Sequence, residues 1–127
     1  MPHTNGNRLL FGFEYRDHCL AVVALDVTAH VLLRARFPVA DPRDIDLDFG
    51  PTSAIAATLS DFVRAYDVPV ACGIDHAPPI LLALAQRLGG PMRIIGFSDL
   101  ERTALPGHDP LVRRELGVDA HQRALLA

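Results

Sequence analysis

The chain contains no lysine and no tryptophan, and only two cysteines, Cys19 and Cys72. All twelve basic residues are arginine, and only Glu14, Glu101 and Glu115 of the fifteen acids are glutamate. Both cysteines sit inside apolar runs without a CxxC partner, which excludes a disulfide framework and a paired redox or metal motif. They read as small buried hydrophobes. No apolar run is long enough to span a bilayer. The polar start Met1-Pro2-His3-Thr4-Asn5-Gly6-Asn7-Arg8 lacks the charged-then-apolar pattern of a secretion signal, so a cytoplasmic location is expected. A net charge of −3 argues against a broadly basic nucleic-acid platform. It does not exclude a nuclease, whose active site is itself acidic.

What is present is a chain of 127 residues, half of them hydrophobic, enough for one domain with a real core. Residues 1–8 read as a flexible tail and 9–127 as a single domain. Leu9 to Tyr15 predicts a strand, with a tight turn at Arg16-Asp17-His18. Cys19 to Leu25 is an almost unbroken apolar run, as in a strand covered on both faces. From His30 to Val39 apolar residues alternate with Arg34 and Arg36, as on an edge strand with one charged face. The stretch Pro38 to Pro51 is irregular and acidic. Its Asp44-x-Asp46-x-Asp48 spacing lacks the glycine and the closing glutamate of a calcium loop.

Thr52 to Tyr66 carries Ile55, Leu59, Phe62, Val63 and Tyr66 at helical spacing. Val68 to Ile74 predicts a buried strand. Pro78-Pro79 opens a second helix that Gly89-Gly90 closes. Met92 to Gly96 predicts a fifth strand. Ser98-Asp99-Leu100-Glu101 fits a capping box for a third helix. Asp109-Pro110 starts a further helical turn, and Asp119 to Ala127 forms the last helix. The order β-β-β-α-β-α-β-α-α is best satisfied by an α/β domain. It would have a five-stranded mixed sheet in the order 3-2-1-4-5, with helices on both faces and strands 1, 4 and 5 parallel.

Two stretches carry the candidate chemistry: Phe11-Gly12-Phe13-Glu14 and Cys72-Gly73-Ile74-Asp75. Each is an apolar run ending on one acid. In the expected order they lie on neighbouring parallel strands, at the carboxyl ends where open α/β sheets place their ligands. Clustered carboxylates suit hard divalent cations, which take oxygen ligands. Ordinary roles are equally concrete: Glu14 facing solvent, Asp75 capping the helix after Pro78, Asp119 capping the last helix. The histidines show neither HxxxH nor HExxH spacing, so zinc has no motif here.

The element order, with Gly12-Phe13-Glu14 on the first strand, Cys72-Gly73-Ile74-Asp75 on the fourth and Val118-Asp119-Ala120-His121-Gln122-Arg123-Ala124-Leu125-Leu126 on the last helix, resembles the ribonuclease-H-like superfamily. Within it, RuvC-type resolvases and small RuvC-like bacterial proteins of unassigned function look most alike. The resemblance implies an acidic site of Glu14, Asp75 and Asp119, as catalytic and metal-binding residues for Mg or Mn. Two such ions cleave phosphodiesters by activating water and stabilising the leaving oxygen. Nucleic acid is then the implied partner. Three departures stand out. The first acid is glutamate instead of aspartate, Tyr15 follows it where proline or glycine is usual, and Gln122 stands where a second helix acid would be. The alternative is a non-catalytic interaction or assembly module of the same fold, dimerising through the third-strand edge or an apolar helix face, with no membrane partner. The related actin and sugar-kinase ATPases need glycine and threonine or serine in the first hairpin, which Glu14-Tyr15-Arg16-Asp17 does not supply.

Overall fold

The computed structural model describes residues 7–96, 99–100 and 116–127. Among the described residues five strands are present: β1 (Leu9–Arg16), β2 (Cys19–Leu25), β3 (Val31–Pro38), β4 (Val70–Ile74) and β5 (Met92–Ile94). Three helices described over their full length accompany them: α1 (Ser53–Tyr66), α2 (Pro79–Leu88) and α3 (Val118–Leu126). The sheet order is β3-β2-β1-β4-β5, with β1–β2 and β2–β3 antiparallel and β1–β4 and β4–β5 parallel. The fold is therefore α/β with a mixed sheet, as the run lengths predict. The expected helical turn at Asp109-Pro110 lies outside the described residues. So does the capping box, except for Asp99 and Leu100. These two are helical, and the Asp99 carboxylate accepts the Gly96 N–H at 3.1 Å.

Local chemistry explains the elements. The β1–β2 hairpin closes through Asp17 and His18, both at positive φ (55° and 59°), the pair that a two-residue turn matched to strand twist requires. Tyr15 donates its hydroxyl to the Val39 carbonyl at 3.0 Å and so ties β1 to the chain leaving β3. Proline at the start of α2 loses no intrahelical bond, and Gly89 ends the helix at φ 83°. The acidic loop is built of aspartates turned onto their own backbone. Asp44 accepts from Asp46 N–H, and Asp46 accepts from the N–H groups of Asp48 and Phe49.

Strand alternation then sorts side chains onto two faces. Phe11, Phe13, Leu20, Val22, Cys72 and Ile74 point to the side covered by α1 and α2, where the large core forms around Leu59, Ile80, Leu81 and Leu84. Gly12, Ala21, Val23 and Leu25 point to the other side, against Ala120 and Ala124 of α3. The two glycines on this side, Gly12 and Gly73, are required by close approach. A Cβ built on Gly12 would lie 1.8 Å from the Ala120 carbonyl oxygen, and one on Gly73 2.3 Å from that of Arg123. The helix backbone rests directly on the two central strands. Glu14 and Asp75 continue this same face, so the fold brings both acids beneath the start of α3.

Candidate functional site

The β1–β4 ladder runs in register to Gly12 opposite Gly73. Beyond that pair the strands carry Glu14 and Asp75 at equivalent positions. Here β1 has an antiparallel neighbour on one side and a parallel one on the other, and in open α/β sheets ligands bind at such strand ends.

Glu14 is 4% exposed, not out in solvent past its strand. Its Oε1 accepts the Gly117 N–H at 2.8 Å and, at 3.4 Å, that of Ala120. A carboxylate at the first turn satisfies donors that the helix cannot pair itself and complements the positive end of its dipole. Arg16 reaches Oε2 at 3.7 Å from two residues along the strand. Glu14 thus serves as a long-range cap. The helix takes no cap from its own side chains: its N-cap is Gly117 at φ 103°, and Asp119 stands inside the first turn instead of at the cap.

Asp75 is less enclosed, with a side chain 28% exposed. Oδ1 accepts its neighbour's backbone N–H, from His76, at 2.7 Å and lies 2.8 Å from the His76 imidazole. Oδ2 accepts from the Arg123 guanidinium at 3.3 Å. The carboxylate therefore does not cap α2, whose N-cap is Pro78 without a side-chain bond.

Arg123 is the residue that sequence patterns did not single out. Its side chain is 4% exposed, beneath α3 at the strand ends. Nε donates to the Ile95 carbonyl at 2.8 Å and Nη1 to the Phe13 carbonyl at 3.0 Å, while Nη2 reaches Asp75. One planar fork therefore joins the ends of β1 and β4 to the residue just past β5. The signal was available: Arg123 falls three residues after Ala120 and beside Ala124, on the small apolar stripe that α3 lays over Gly12 and Gly73. An arginine on such a stripe is buried, and a buried arginine needs a carboxylate and free carbonyls.

Asp119 is half-buried one turn before Arg123 and is itself partnered. The three sequence-nominated acids thus converge on one end of the sheet, around α3. Among the described residues no three acid, histidine or cysteine side chains are grouped as a metal cage. As donors for Mg or Mn they fit poorly in this arrangement. Glu14 spends its inner oxygen on helix N–H groups. Asp75 faces a guanidinium whose positive charge opposes a second cation in the same space.

Burial pushes the Cys72 thiol up to about 12, whereas Cys19 is only partly covered. The Thr28 hydroxyl, then the His30 N–H, hold the Asp26 carboxyl below its usual range. Compared with protein-family models and with curated proteins, the chain matches none. No helix among the described residues is long and apolar enough to cross a membrane.

Proposed function

We propose that this chain is a ribonuclease-H-like domain with a degenerate acidic site, used as a non-catalytic interaction or assembly module. One observation carries the reading: the buried Arg123 guanidinium sits at the strand ends, on the Asp75 carboxylate and on the Phe13 carbonyl next to Glu14. It supplies there, as a built-in cation, the charge that neutralises Asp75 and the bonds that hold the strand ends. Glu14 in place of the usual aspartate agrees with this, since its extra methylene lets the carboxylate reach the α3 amides. The β3 edge and the faces of α3 are the surfaces such a module has to offer a partner, a second copy included.

A second reading is favoured by the placement of Glu14 and Asp75 at equivalent positions on adjacent parallel strands, with Asp119 on the covering helix. In that reading Arg123 swings aside, and Mg or Mn bound by the three acids supports phosphodiester cleavage of nucleic acid. The deciding experiment incubates the protein with branched and flapped DNA and RNA in Mg²⁺ or Mn²⁺, beside an Asp75→Asn variant. The module reading expects no cleavage by either protein. Cleavage by the parent chain that Asp75→Asn abolishes would establish the nuclease.

A further inference from the structure

The helix α3 covers the middle of its sheet face but stops short of β3. In the β2–β3 register, Arg36 pairs with Ala21 and Arg34 with Val23, so both arginines lie on the face that α3 packs against. They are exposed, and between them and the outer side of α3 runs a groove of about 400 Å³. Its other walls include His121, Gln122, Leu116 and Leu125. That volume lies within the range of small-molecule sites.

Among the described residues that line the groove the charge is one-sided: two arginines and no carboxylate, although the whole chain is net negative at −3. Arg34 has no ion-pair partner or hydrogen-bond acceptor among the described residues. Arg36 commits one nitrogen, Nη2, to the Leu116 carbonyl at 2.9 Å. That bond fixes the guanidinium at the groove wall and leaves its remaining donors available. Same-face neighbours on a strand stand roughly 7 Å apart, so both forks reach one anion. Two guanidinium groups match the charge of a phosphate monoester dianion and its oxygen geometry. The apolar wall provides for more than the phosphate: Leu125 is 48% exposed and Val118 36%.

We propose that this groove binds a small phosphate monoester, with the phosphate on Arg34 and Arg36 and the organic body against Leu125. The groove adjoins the Glu14–Arg123–Asp75 cluster through Gly117, which lines it and donates to Glu14, but its arginines are not part of that cluster and the proposal does not depend on whether the cluster is catalytic.

Phenyl phosphate, inorganic phosphate and a single-stranded oligonucleotide are titrated in turn into the intact protein, with backbone amide spectra as the readout. Phenyl phosphate is expected to shift the amides of Arg34, Arg36, His121 and Leu125 saturably. It should bind more tightly than inorganic phosphate. Arg34→Gln, at an exposed edge position, should leave the melting temperature unchanged and weaken phenyl phosphate about tenfold or more, the loss of a charge-assisted contact. Leu125→Ala should erase the preference over inorganic phosphate. Absence of shifts at millimolar phenyl phosphate would overturn the proposal, as would undiminished binding by Arg34→Gln. Equal affinity for the two phosphates would overturn the ester assignment, and binding of the oligonucleotide alone would replace the small ligand with a nucleic-acid strand.

Discussion

Replacing Arg123 by alanine should destabilise the protein far more than a helix arginine ordinarily does. The truncation leaves the carbonyls of Phe13 and Ile95 without the donors they now hold at 3.0 and 2.8 Å. Each buried acceptor left unmade costs about 1–3 kcal/mol. The Asp75 carboxylate loses its guanidinium but is 28% exposed and recovers water, so its share is discounted toward the lower end. Water entering the vacated space offsets part of the carbonyl term. A loss of about 3 kcal/mol remains, which for a domain of this size corresponds to a melting shift of roughly 10 °C. Arg123→Lys keeps the charge but holds its donors on a single nitrogen, which cannot reach three acceptors that now face three separate nitrogens, and should lose roughly 2 kcal/mol. It is the safer variant if the alanine protein fails to fold. Urea unfolding of the three proteins measures both losses. If either variant matched the parent within about 0.5 kcal/mol, the bonding assigned to this guanidinium would be wrong.

Gly12→Ala places a methyl where the Ala120 carbonyl oxygen stands 1.8 Å away, so α3 must lift from the sheet. A loss of about 3 kcal/mol or more is expected in the same unfolding assay, and a neutral result would deny the close approach. Asp26→Asn tests the turn before β3. Bonds from Thr28 and His30 lower the folded-state pKa of Asp26, so its stabilisation exists above the unfolded value of 3.8 and fades as pH falls through the folded one. The melting-temperature gap between parent and variant should be present at neutral pH and close in acid; a pH-independent gap contradicts the assignment. Native protein treated with a thiol reagent at mildly alkaline pH should label Cys19 and spare Cys72, whose pKa burial raises to about 12. Equal labelling of the two would show that Cys72 is not enclosed.

The strand order was legible because length and patterning agree in the first three strands, while β4 and β5 are shorter than expected, at Val70–Ile74 and Met92–Ile94. Cys19–Leu25 has no polar face and sits inside the sheet, while the Arg34 and Arg36 alternation marks β3 as an edge. The meeting of Glu14 and Asp75 at one end of adjacent strands follows from that order alone. The partners of the acids do not. Glu14 is held by amides more than a hundred residues away, and a capping pattern read within one helix cannot reveal a cap contributed by a strand. Arg123 in isolation resembles any solvated helix residue. Its burial follows only when the glycines of β1 and β4 are matched with the alanines of α3, a pairing that depends on knowing which face the helix covers.

In the proposed module the Arg123 guanidinium stands in for a divalent cation beside Asp75. Calorimetric titration of Mn²⁺ into the parent protein, with Arg123→Lys and Glu14→Gln beside it, tests this most directly. The account predicts no saturable binding to the parent at millimolar Mn²⁺, and no gain in thermal stability with the ion. Saturable binding by the parent that Glu14→Gln removes would contradict it.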